Sequence, residues 1–67
     1  MTEEQINEVR ALQEEYLLKK EGWREGQAFF NALHTLYPDE ANSIRDTVYD
    51  CFYQNICDQT IKYLRQH

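Results

Sequence analysis

The chain has 67 residues, of which 42% are hydrophobic and 13% aromatic, and twelve acids against seven bases give a formal charge of −5. It is too apolar for a disordered tail, and two glycines and one proline are too few for a turn-rich β-fold. One all-α domain over 1–67 is the expected class, and the acidic balance argues against phosphate-binding surfaces, so neither nucleic acid nor a membrane is an expected partner.

Punctuation falls at Gly22 to Gly26 and at Pro38. The pattern around it predicts a small bundle of three to four helices, about 2–20, 23–36, 38–45 and 54–65, with an aromatic-rich loop near 46–53. In the first segment, Thr2 followed three residues later by Gln5 is a capping-box signature, and Glu3 and Glu4 sit where the helix dipole favours acids. Ile6, Val9, Leu12, Tyr16 and Leu17 recur at mostly three- and four-residue spacing, which gives one narrow apolar stripe. Lys19 and Lys20 close the segment, Glu15 is spaced to pair with Lys19, and Gly22 offers a C-cap.

The second segment has a wider apolar face: Phe29, Phe30, Ala32, Leu33 and Leu36. Gly26 near its start costs up to ~1 kcal/mol relative to Ala unless a close contact uses the missing side chain, and both readings stay open. Pro38 at a first helical position, followed by Asp39 and Glu40, starts the third helix, with Ala41 and Ile44 inward. Thr47, Val48, Tyr49, Phe52 and Tyr53 form no helical stripe and read as a loop; a single helix over 47–65 is the alternative. Ile56, Ile61 and Leu64 return to helical spacing, with Gln54 or Asn55 as the cap and Lys62 and Arg65 in the last turn.

Cys51 and Cys57 are six residues apart, and His34 and His67 lie far away in sequence. That is no recognisable metal framework, and no cofactor is expected. A disulfide between the two would require a break between them, so two free thiols in a reducing cytoplasm is the expected state. No apolar run approaches the ~20 residues that span a bilayer. A core this small is marginal, and a second subunit is the supplement left open. Self-association through Ile6, Val9, Leu12, Tyr16 and Leu17 is therefore expected.

Arg24-Glu25-Gly26-Gln27-Ala28-Phe29-Phe30-Asn31-Ala32-Leu33, then Tyr37-Pro38 and Ala41-Asn42-Ser43-Ile44-Arg45-Asp46-Thr47, then Asp50-Cys51-Phe52-Tyr53, form a distinctive series. It resembles a family of small uncharacterised bacterial and phage proteins with R-x-G-Q-A-x-(F/Y)-N-A-L, then P-x-x-A-x-x-I-R-x-T, then D-P-F-Y. The resemblance covers roughly residues 23–53. Cys51 departs from it, standing where that family often has Pro. The resemblance implies a phage or bacterial origin and brings no catalytic residues with it.

Gln27 and Asn31 share a helical face and could bond each other or the 46–53 loop, while Arg45 and Asp50 could pair and pin Phe52 and Tyr53 inward. The sharper reading makes Trp23, Arg24, Tyr49 and Tyr53 a partner-binding patch, because Trp, Tyr and Arg are common hot-spot residues. Catalysis finds little support. Asp46 and Asp50 would share a face only in a helix, Glu4 and Glu8 read as solvated, and Cys51 with His34 reads as a buried thiol and a surface imidazole. The acids of the first helix are interrupted by Arg10, Lys19 and Lys20, which suits a solvated face better than a nucleic-acid mimic. The expected function is a small acidic protein-binding module, a phage or mobile-element modulator or inhibitor of a host protein and not an enzyme. The alternative is a structural or accessory subunit that acts through homo-oligomerisation.

Overall fold

Thr2 starts the first helix as the sequence predicts. Its hydroxyl accepts the Gln5 backbone N–H at 3.2 Å, and the Gln5 side chain accepts the Thr2 N–H at 2.9 Å. The computed structural model describes residues 1–67, and this helix, α1, spans Glu3–Lys19. It ends at Lys20, and Gly22 sits beyond the cap with φ of +79°, so the glycine turns the chain rather than capping the helix. Glu15 and Lys19 do not pair; the single ion pair of the molecule is Arg65 with Glu3.

Three further helices follow and no strand: α2 (Glu25–Leu36), α3 (Pro38–Ile44) and α4 (Asp58–Gln66). The all-α class is as expected. Helix α2 is the centre of the core, burying Phe29, Phe30, Ala32 and Leu33, and its most extensive neighbour is α1. Tyr37 leaves helical geometry ahead of Pro38, which opens α3 and lets it fold back on α2 with Ala41 and Ile44 inward.

The α1 stripe is real, but its partner is this chain. Ile6 and Val9 are 1% and 0% exposed in the shared core, and Leu12 and Tyr16 pack half-buried against it. Leu17 is likewise half-buried and borders a surface cavity, with Leu18 beside it at 88% exposure. Polar bonds tie the same face down. The Tyr16 hydroxyl meets Thr35 Oγ1 at 3.1 Å, Gln13 donates to the Glu25 carbonyl at 3.0 Å, and Tyr37 donates to Glu8 Oε1 at 3.0 Å.

That last bond has a pH consequence. Loss of solvent around the Tyr37 phenol, together with the Glu8 carboxylate beside it, raises the Tyr37 pKa above its ordinary value of 10.0. The folded state holds this proton more tightly, so the contribution is complete below pH 10 and is lost as the pH rises through the folded-state value. Chemical denaturation across the alkaline range should show a steeper loss of stability than in Tyr37→Phe, which lacks the group.

The last helix starts later than the sequence suggests. Neither Gln54 nor Asn55 caps it; α4 opens at Cys57, whose carbonyl accepts the Ile61 N–H at 2.9 Å. The reason is that the Gln54 carbonyl is already taken, accepting the Gly26 N–H at 2.8 Å. A continuous helix over 47–65 is also ruled out, because residues 47–57 run through turns and irregular backbone and helix begins only at Asp58. The irregular segment therefore runs 45–57, longer than expected. Helix α4 buries Thr60, Ile61 and Leu64, and its end meets the start of α1: Arg65 holds Glu3 in a two-pronged pair at 2.7 and 3.1 Å, and the Met1 nitrogen donates to the Leu64 carbonyl at 2.8 Å.

Candidate functional site

Thirteen consecutive residues without helix or strand are unusual in so small a domain, and such loops are commonly where function sits. This one is held from within. Asp50 is the staple: its carboxylate accepts the Asp46 N–H at 2.8 Å and the Phe52 N–H at 3.0 Å. Asp46 thereby keeps its left-handed backbone, a conformation that Asp tolerates better than most residues. Thr47 adds two bonds, donating to the Ile44 carbonyl at 2.6 Å and accepting the Tyr49 N–H at 3.2 Å. Thr60 of α4 donates to the Tyr49 carbonyl at 2.5 Å.

The loop is also clamped onto α2. Gly26 donates to the Gln54 carbonyl, the Cys51 thiol lies 3.6 Å from the Gly26 carbonyl, and Gln54 N–H closes a turn on the Cys51 carbonyl at 2.9 Å. A Cβ at position 26 would stand 1.8 Å from the Cys51 carbonyl oxygen and 2.3 Å from that of Gln54. The glycine is there because another backbone passes over it, so of the two readings left open above, the close contact is the one observed.

Asp50→Ala should cost about 1–2 kcal/mol, the worth of two charge-assisted acceptor bonds in a partly solvated setting. Asp50→Asn, which keeps one acceptor oxygen, should fall between Ala and the parent in urea denaturation. Equal stability of all three proteins would remove Asp50 from the role of staple.

Although its backbone is fixed, the loop turns large side chains outward. Val48 is 73% exposed, Tyr53 80% and Ile56 66%. Arg45 does not pair with Asp50; its guanidinium lies 5.5 Å over the Phe30 ring. Phe52 packs edge-on to Phe30 at 5.9 Å and is half-buried, while Tyr53 packs edge-on to Phe52 at 4.9 Å and is left outside. The pairing expected to hold both rings inward is absent, and only Phe52 goes in. No hydrogen bond joins Gln27 and Asn31 either, and the Asn31 carbonyl accepts from Thr35.

The four residues expected to form a partner patch have three different settings. Trp23 packs edge-on to Tyr16 at 5.7 Å beneath the Lys20 ammonium, bracing the α1–α2 corner, with Arg24 beside it as the N-cap residue of α2. Tyr49 stacks on Tyr63 at 4.1 Å, and Tyr63 stacks on His67 at 4.3 Å. Tyr53 is 80% exposed beside Phe52 and borders a cavity with Phe30, His34 and Arg45, and Val48 and Ile56 are exposed on the same loop. Sequence reasoning passed over those two because Val48 read as one residue of an aromatic loop and Ile56 as part of the last helix's stripe.

Cys51 and Cys57 are both free and both part of the core. Interaction with the Cys51 thiol, together with burial, pushes the Cys57 thiol far above the ordinary thiol range, and that of Cys51 is lowered. No group of three or more His, Cys, Asp or Glu residues is placed to hold a metal ion, and no helix is long and apolar enough to cross a membrane. No family model, no curated protein and no solved structure matches the sequence. Function has to be read from the chain's own geometry.

Proposed function

We propose that this chain is a small acidic protein-binding module that presents the 45–57 loop to a protein partner. The observation that carries the proposal is the combination of a backbone fixed by Asp50, Thr47, Thr60 and Gly26 with Val48, Tyr53 and Ile56 turned into solvent. A preordered loop pays little ordering entropy on binding, and an exposed Tyr has the character of an interface anchor. The role proposed for the module is that of a modulator or inhibitor of a host protein.

Photo-crosslinking tests this. A photoreactive residue at position 53 or 56 should capture one and the same protein, and Val48→Asp should abolish the capture without lowering the melting temperature. Equal capture from a probe at the exposed position 4, at the start of α1, would overturn the reading.

Homo-oligomerisation is a second reading, favoured by Leu18 at 88% exposure next to Leu17. Light scattering at micromolar concentration measures it directly: a mass above one chain that Leu18→Glu returns to one chain supports it, and a strict monomer removes it.

A further inference from the structure

Helix α1, the start of α4 and the end of the 45–57 loop border a surface cavity of about 390 Å³. Arg10, Gln13, Glu14 and Leu17 reach it at helical spacing, so one face of α1 lines it for about 10 Å, close to two turns. Its apolar part is Leu17, Ile56, Cys57 and Ile61. Cys57 and Ile61 belong to the core, but Leu17 is only half-buried and Ile56 is 66% exposed, so apolar surface faces water along this groove.

The rim is charged and one-sided. Glu14, Glu25 and Asp58 stand on it against one base, Arg10. None of the four is ion-paired, since the single ion pair of the molecule joins Arg65 and Glu3. Glu25 and Asp58 open α2 and α4, where the helix dipole favours acids, and that accounts for them locally. Glu14 stands in the middle of α1 and has no such local role. The bond from Gln13 to the Glu25 carbonyl draws the first turn of α2 up to the same stretch of α1.

From this juxtaposition we infer that the groove receives a basic amphipathic helix of a protein partner, its apolar side chains on Leu17, Ile56 and Ile61 and its Lys or Arg residues against Glu14, Glu25 and Asp58. Grooves of this kind take helices through apolar anchors spaced three and four residues apart. Charge selects the occupant. A second copy of this chain carries −5 and brings like charge to the rim, whereas a basic segment gives three unpaired carboxylates a partner. The charged contacts lie in water, so they set selectivity and association rate and weaken with salt, while apolar burial supplies the affinity. The inference rests on the protein-binding function proposed above and names the chemistry of the partner. Ile56 belongs to both loop and groove, whereas Tyr53 borders the separate cavity beside Arg45.

The probe is a fluorescein-labelled synthetic helix of about fifteen residues with Leu at i, i+3, i+4 and i+7 and Lys elsewhere, titrated into the intact protein. Anisotropy should show saturable binding below about 1 mM, with amide shifts centred on Glu14, Leu17, Glu25 and Ile56. Glu14→Lys with Glu25→Lys should weaken it about tenfold, and so should Ile56→Ser. Glu4→Lys with Asp39→Lys makes the same change of net charge away from the groove and should weaken it less than about threefold. All five positions are exposed, so the variants keep the fold. Equal weakening by the two charge reversals, equal binding of the helix with Glu in place of Lys, shifts centred on Arg45 and Tyr53, or no saturable binding would each overturn the inference. A mass above one chain that Ile56→Ser returns to one chain would overturn it too, by placing a second copy in the groove. Capture from position 53 without helix binding sinks the groove alone, and helix binding without that capture sinks the loop's docking alone.

Discussion

Gly26→Ala should abolish the cooperative fold or leave it barely populated. The added methyl would lie 1.8 Å from the Cys51 carbonyl oxygen and 2.3 Å from that of Gln54, and both obstacles are backbone. Relief requires the loop to lift off α2, which breaks the Gly26 to Gln54 bond, the Cys51 thiol contact and the Phe52 contact with Phe30 together. A loss of about 3–5 kcal/mol is expected, against a total of about 3–10 kcal/mol for a domain of this size. Gly22→Ala is the control. Nothing lies within 4 Å of a Cβ there, so only its φ of +79° opposes the substitution, at a cost of about 1–2 kcal/mol. Urea denaturation followed by circular dichroism separates the two, and similar losses at both positions would show that crowding at Gly26 does not decide.

Val9→Glu should unfold the monomer rather than dissolve an assembly. Val9 is completely buried among side chains of this chain's own core, and a carboxylate there has no partner. Either the charge is buried or the side chain takes up a proton at a large pKa cost, and the loss is again about 3–5 kcal/mol. Leu18→Glu, one face away on the same helix, should change stability by less than about 0.5 kcal/mol. Native amide dispersion in a proton–nitrogen NMR spectrum distinguishes the outcomes. A well-dispersed Val9→Glu monomer would mean that the α1 stripe is not the inner face of the fold.

What the sequence made legible was local chemistry. The Thr2–Gln5 cap, the Pro38 start and the wide apolar face of α2 each act within one or two turns, and each recurs in the structure. What it left hidden depends on which segments meet. The α1 stripe announces that Ile6 and Val9 are buried, but no periodicity says whether α2 or a second chain buries them. Gly26 reads as a tolerated or a required glycine until the loop is seen crossing it. The start of α4 moved from 54 to 58 because the Gln54 carbonyl is spent on Gly26, a bond across 28 residues of sequence. The candidate site shows the same division. Tyr53 was singled out by residue type, whereas Val48 and Ile56 are exposed because Phe52, Cys51 and Cys57 take the inward positions of the same loop.

The meeting of α1's start with α4's end makes the order of assembly unlike that of a simple helical hairpin. Helices α1, α2 and α3 are neighbours in sequence and can pair by closing short turns, at small entropic cost. Helix α4 has nine residues, too few to persist alone, and its anchors on Glu3 and Met1 lie at the far end of the chain. It can settle only once the earlier helices have built the surface that receives it. The 45–57 loop, strung between α3 and α4 and bonded to both Gly26 and Thr60, therefore couples the docking of the last helix to the centre of the core.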